Sequence, residues 1–527
     1  MNLKHLSSLD ATFLHLETPE MPMHVGALHV LDLPEGYAGD FFEDAKKFLS
    51  ARLHLADVFT RKLALMPFDL ADPVWVEDEN IDIDYHVRQI SLPKPGSNRQ
   101  LQQYVARLHS SLLDRSRPLW EFFFIDGLKS GQVAYYTKVH HAGIDGQAGV
   151  ALARAIFDLT PEGRTIKPPR VRTKRGEYQL GIAEMLSASI GNVFKQAVNI
   201  YRSAPAMVQG AKTILLPPPN DDGQRRWSLP KDFRFLAPRT PLNVAITNQR
   251  SFAGKTVPLA EVKLVAKTLG VSINDVVMGT VSGALRKYLA ENQELPARSL
   301  LAAVPVSLRA EGDGTANNQV SMMRLTLATD LEDPLQRLEA IHTASNIAKS
   351  KLEKVKDALP TDFPILAAPW LISGLASLFG RSRLSNVIPP VANVAISNVP
   401  GIQTQLYFAG AKVVSYYPVS IPAHGVALNV TVQSYNGRLD YGLIACSRAV
   451  PDINDLGELV LAEHRILVEL ATKQQEQSHQ EEARRIALAA VLSADKPDET
   501  APERSLARTK KTTPTVKTTA RKRAVAA

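Results

Sequence analysis

Cysteine is nearly missing from this sequence. Cys446 is the single one in 527 residues, so no intrachain disulfide can form, and disulfide-stapled secreted scaffolds are excluded. Long apolar runs are missing as well. A membrane span needs about 20 predominantly apolar residues. The most membrane-like stretch, Phe363–Gly380, is broken by Pro364, Pro369, Gly374 and Gly380 and is expected to be buried. The N-terminal segment MNLKHLSSLDATFLHLE has no uninterrupted apolar core, so no secretory leader is expected. There is no Gly-x-Ser-x-Gly elbow, which removes the nucleophile arrangement of the α/β-hydrolases. No fixed short repeat points to a solenoid or propeller.

An excess of one charge is also missing from most of the chain. The net charge is +8. After Glu503 come eight basic residues and no acidic one: Arg504, Arg508, Lys510, Lys511, Lys517, Arg521, Lys522 and Arg523. The remainder holds 53 residues of each sign. The basic character therefore belongs to a tail, and a basic nucleic-acid-binding body is not indicated.

What is present is ordinary for a soluble globular chain: 45% hydrophobic and 22% charged residues, with length for two domains or more. Gln132–His141 alternates like a strand and stops at two histidines. Gln147–Leu159 has helical spacing, with Val150, Ala153, Ile156 and Phe157 on one side. Thr160–Glu177 is rich in Pro, Lys and Arg and is expected to be an exposed linker. Gly181–Gly210 is spaced as an amphipathic helix.

Further on, Leu259–Leu269 is expected to be a helix stopped by Gly270, with Ser272 capping a second helix to about Glu291. Leu300–Leu308, Asn318–Ala328 and Val391–Val399 are expected strands. Ala427–Ser434 and Leu439–Cys446 should form a hairpin about Asn436-Gly437. A helix is expected over Asn454–Lys473. Residues 476–527 form a charged tail expected to be disordered, for want of apolar surface.

The chemistry-bearing segment is His140-His141-Ala142-Gly143-Ile144-Asp145-Gly146, between the expected strand and helix. Consecutive strand residues face opposite ways, so one histidine would react and the other would be structural; geometry alone does not say which. A neutral imidazole can take the proton from an attacking hydroxyl without a covalent intermediate. Asp145 could orient an imidazole or hold the loop. Gly143 and Gly146 would let the backbone turn tightly beside a ligand. A metal site is disfavoured, because adjacent histidines lack the i, i+4 spacing of two ligands on one helix face.

This run resembles the signature of the coenzyme A-dependent acyltransferase superfamily. Leu9-Asp10-Ala11-Thr12-Phe13, Met23-His24-Val25-Gly26, Pro118-Leu119-Trp120, Asn274-Asp275-Val276-Val277 and Ser397-Asn398-Val399-Pro400-Gly401 follow in order. Together they resemble the bacterial wax ester synthase/acyl-CoA:diacylglycerol acyltransferases over about residues 1–475. Ile144 stands where the signature often carries valine, a conservative change.

The resemblance implies an α/β, two-lobed, chloramphenicol acetyltransferase-like fold with an active-site channel between the lobes. Its expected divisions are an N-terminal lobe 1–175, a crossover 176–235, a C-terminal lobe 236–475 and the tail. It implies His141 as general base, with His140 and Asp145 in support and Asn274 as an amide donor to the oxyanion. Leu119, Trp120, Gly146, Ser397 and Asn398 would contact substrate or pack beneath it. The implied reaction joins a long acyl chain from acyl-CoA, as co-substrate, to diacylglycerol or a fatty alcohol. No metal or permanently bound cofactor is expected. The expected location is cytoplasmic, with peripheral contact at the inner membrane or lipid bodies. Two other readings remain open at this point: a carrier-dependent condensation domain, and a non-catalytic lipid-binding protein.

Overall fold

The computed structural model describes residues 4–6, 8–64, 73–144, 146–168, 236–307, 320–356 and 389–494. Asp145, the expected Gly181–Gly210 helix, Phe363–Gly380 and 495–527 lie outside these residues, as does the expected linker beyond 168.

Fifteen strands are described, in three sheets. In chain order they are β1 Lys4–His5, β2 His24–Asp32, β3 Arg61–Ala64, β4 Val74–Glu77, β5 Val87–Ser91, β6 Trp120–Asp126 and β7 Val133–His140. Then come β8 Arg250–Pro258, β9 Leu301–Ser307, β10 Val320–Thr326, β11 Val394–Val399, β12 Tyr407–Phe408, β13 Ala411–Val419, β14 Leu428–Tyr435 and β15 Arg438–Cys446. One six-stranded sheet runs β12-β13-β2-β7-β6-β5, the other β10-β9-β11-β14-β15-β8, and β1-β4-β3 forms a small third sheet.

In β6 the period-2 alternation sorts side chains onto two covered faces. Phe122 and Phe124 join one apolar cluster, Phe123 and Ile125 another. That is why β6 is apolar almost throughout rather than alternating with polar residues. The C-terminal sheet packs on the Ile273–Glu291 helix, whose Val276, Val277, Met278, Val281, Ala284 and Leu285 are buried. Ser272 caps this helix by accepting from Asp275 N, and Asp275 accepts in return from Ser272 N at 3.0 Å. Gly270 ends the preceding Leu259–Leu269 helix at φ 68°. The hairpin turns at Asn436 and Gly437, φ 42° and 76°.

The expected C-terminal division 236–475 supplies strands to both large sheets: β12 and β13 join the N-terminal one, where β13 pairs antiparallel with β2. Gly442 permits this, since a Cβ there would lie 1.7 Å from Pro418 O; Tyr416 N also donates to Asp440 Oδ2 at 2.7 Å. One expectation needs correction: residues 476–494, the start of the tail expected to be disordered, are helical, within a helix spanning Ile453–Ala494. Lack of an apolar face argued for disorder, but Gln, Glu, Ala, Arg and Leu are strong helix formers and no proline or glycine interrupts them. The chain divides into units 1–472 and 473–527.

The Gly146–Ile156 helix is followed by Asp158, buried against Arg52 at 2.6 Å and hydrogen-bonded through its backbone to Tyr407 on β12. Both charged side chains are only 4% exposed. Asp158→Ala would leave the guanidinium buried without this partner, a cost of about 3–5 kcal/mol. We expect a loss of that size in denaturant unfolding, and an unchanged unfolding midpoint would refute it.

Candidate active site

β7 ends at His140, whose backbone N donates to Leu119 O, and the chain then tightens into a single 3-10 turn, His141–Gly143. The two histidines therefore part company because the strand stops, not because a regular strand alternates. His140 sits opposite His24 of β2 and is fully buried. Its Nδ1 accepts from Ala142 N at 3.1 Å, and its Nε2 lies 3.3 Å from Glu17 Oε1.

His141 is half-buried. Its N donates to Met23 O at 2.9 Å, and its ring stacks on Phe13 with centroids 3.8 Å apart and planes 20° apart. Burial of the imidazole lowers its pKa to about 4, with the neighbouring His140 acting in the same direction. At neutral pH it is an uncharged base. The helix that begins at Gly146 follows at once.

Glu17, beyond the reach of the motif-based reading, completes the arrangement. Burial alone would raise its pKa; the His140 ring, Arg115 and the Met23 N–H outweigh this and hold it at about 2. Arg115 reaches Oε2 through Nε at 3.2 Å and Nη2 at 2.9 Å. No local pattern announces Glu17, because the two side chains that face it, Arg115 and His140, lie far away in sequence. The only clue was its place between two of the quoted motifs.

The other expected site residues are more dispersed. Leu119 and Trp120 are core residues. Trp120 is stacked by His86 at 4.2 Å and donates from Nε1 to Phe59 O. Asn274 is half-buried in the first turn of the Ile273–Glu291 helix. Its neighbour Asp275 is a structural cap, further held by His342 Nδ1 at 2.8 Å. Ser397 and Asn398 are half-buried on β11, beside Thr431 and Val432 of β14.

Nucleophile chemistry has no support at Cys446, which is buried in β15. Among the described residues no group of three or more His, Cys, Asp or Glu could hold a metal ion. No single described helix is long and apolar enough to cross a membrane. An open groove of about 440 Å³ lined by Gln336, Glu339, Ala340, Thr343, Ala344 and Ile347 contains none of the expected site residues.

Two sheets with a histidine-bearing turn at the end of β7 define the fold of the two-lobed acyltransferases. The first condensation domain of the calcium-dependent antibiotic synthetase shares this fold, with a TM-score of 0.50 at 17% identity over 89% of this chain and 96% of that one. The chain belongs to the wax ester synthase/diacylglycerol acyltransferase family. The model of that family's catalytic domain matches residues 6–277, and that of its C-terminal domain matches 316–465.

A Mycobacterium tuberculosis protein that bears the name putative diacylglycerol O-acyltransferase is 38% identical over 451 residues, 85% of this chain and 96% of that protein. The O-acyltransferase WSD of Acinetobacter baylyi is 34% identical, covering 86% of this chain and 94% of its own length. The solved wax ester synthase/diacylglycerol acyltransferase of Marinobacter aquaeolei VT8 has a TM-score of 0.63 at 31% identity, over 89% of this chain and 100% of that one.

Proposed function

We propose that the protein moves a long-chain acyl group from acyl-CoA to the hydroxyl of diacylglycerol or a long-chain alcohol, yielding triacylglycerol or wax ester. The observation that carries this reading is the neutral imidazole of His141 on the Phe13 ring, in a chain of this family. His141 takes the hydroxyl proton as the oxygen attacks the thioester carbonyl carbon. The tetrahedral intermediate collapses with loss of the C–S bond, and the proton returns to the departing thiolate. Asn274 is the proposed amide donor to the oxyanion, a role suited to a helix first turn. Each buried methylene of the acyl chain adds about 0.8 kcal/mol, so length alone binds a long donor strongly.

We also propose peripheral attachment to a lipid surface, since the products are apolar. Support comes from the exposed Ile486 and Leu488 beside Arg484 and Arg485, and from the eight basic residues after Glu503. Absence of binding to lipid vesicles would remove this part alone.

The main test supplies purified protein with palmitoyl-CoA and either hexadecanol or a diacylglycerol, and measures ester and free thiol together. Turnover with one acceptor identifies the preferred product; no turnover with any long-chain donor overturns the reading. The pH profile adds a sharper check. A base must be unprotonated to act, so activity is lost only as pH falls through its pKa. With His141 lowered to about 4, kcat/KM is expected to stay level from pH 8 down to about 5 in protein that remains folded. An acidic limb near 6.5 would reject His141 as the base in this environment.

A further inference from the structure

Glu17 is buried, ionised and untouched by the acyl-transfer steps above. Its Oε1 accepts from Met23 N at 3.0 Å, and Met23 O in turn accepts from His141 N at 2.9 Å. The same Oε1 lies 3.3 Å from His140 Nε2, while His140 Nδ1 accepts from Ala142 N at 3.1 Å. With Nδ1 used as an acceptor, Nε2 is the ring's other polar atom, and it lies within ion-pair distance of the carboxylate without the alignment of a hydrogen bond. The amides on both sides of the His141 Cα are thus each held by a group in contact with one carboxylate oxygen: Met23 through a hydrogen bond, His140 through a 3.3 Å approach of its ring.

Arg115 occupies the other oxygen, and its Nη2 also donates to Leu14 O at 2.7 Å, so the carboxylate is braced against rotation. The Glu17 side chain is 3% exposed, which leaves little room for water to replace any of these contacts. An amide cannot substitute. Glutamine has one acceptor oxygen, and its NH2 would face either Arg115 or the donors on Oε1.

We propose that Glu17 is a positioning residue for acyl transfer: braced by Arg115, its carboxylate clamps the backbone on both sides of His141 and so sets where the reacting imidazole lies. The effect runs in part through His140. This inference rests on the acyl-transfer reading, and its test separates the two.

The variants are Glu17→Gln, Glu17→Asp, His140→Ala and the Glu17→Gln/His140→Ala double variant, assayed with palmitoyl-CoA and the preferred acceptor. Misplacement of a reacting group by about 1 Å can cost about 100-fold. Glu17→Gln is therefore expected to lower kcat about 100-fold, with KM for palmitoyl-CoA within about threefold of the wild type. Residues acting as one unit are not additive, so the double variant should lose clearly less than the product of the two single losses.

Glu17→Asp keeps the charge but falls short of His140, and an intermediate kcat is expected; it also serves if the glutamine variant does not fold. A near-native kcat in either variant, a loss confined to KM, or additive losses would overturn the proposal. A crystal structure of Glu17→Gln or Glu17→Asp decides it without turnover: the His141 ring should leave its place on Phe13, and an unmoved ring would refute the clamp. If the wild type itself shows no turnover, the acyl-transfer reading fails while that structure still answers the question about Glu17.

Discussion

Replacing His141 by alanine is expected to cut acyl transfer by about 10²–10⁴-fold, the usual contribution of a positioned general base. The loss should fall on kcat, because His141 is assigned to proton removal and not to holding the acyl chain. No cysteine stands ready to take over, since Cys446 lies buried in β15. His140→Ala should be milder in chemistry and harder on stability. It removes a fully buried ring that holds Ala142 N and faces Glu17. Progress curves of thiol release, with thermal unfolding in parallel, would measure both. A His141→Ala protein that retains wild-type kcat would require another base.

Mild acid is expected to destabilise the protein well before its carboxylates are protonated. His24, His29 and His109 are all buried in or beside the N-terminal sheet. Burial lowers the pKa of His29 and of His109 to about 3, and drives that of His24 well below its ordinary value. An unfolded histidine binds its proton near pH 6.5, so below that value the unfolded chain takes up protons that the folded chain refuses.

Between pH 6.5 and 5 this costs about 2 kcal/mol for each of His29 and His109, and His24 acts in the same direction. Set against a total stability of about 5–15 kcal/mol, the sum is large. Glu17 adds to the loss only below pH 4.5, since its lowered pKa of about 2 stabilises the fold above that range. Asp440 opposes these groups, because burial raises its pKa and acid relieves its charge. Urea unfolding at pH 7 and pH 5 should differ by about 4 kcal/mol or more. Equal stability at the two values would mean that these histidines are charged in the fold.

Much of the architecture was legible locally. The Ser272 cap, the Gly270 stop and the Asn436-Gly437 hairpin each depend on a few adjacent residues whose backbone preferences decide the outcome. The strand ending at the histidines was legible for the same reason. The chain did not disclose β13. Val414, Ser415 and Tyr416 give a blurred alternation with a register shift between Val413 and Ser415, and Pro418 weakens any strand pattern. Its partner β2 lies near the other end of the chain. The helical extension to Ala494 rests on backbone propensity rather than on an apolar face, so the hydrophobic pattern of the chain does not display it.

The site divides along the same line. By itself, the sequence determined the family and the candidate site: two histidines at a strand end, a glycine-containing turn, and ordered motifs that resemble one family. Adjacency along the chain was enough, because the turn chemistry is local. Tertiary structure alone decided which histidine is buried against a carboxylate and which rests half-exposed on Phe13. It alone brought Glu17 and Arg115 to the back of the turn, and gave Trp120 to the core. Burial, pairing and the pKa values that follow are set by groups distant in sequence. They exist only once β2, β7 and the loop between Glu17 and His24 are packed together.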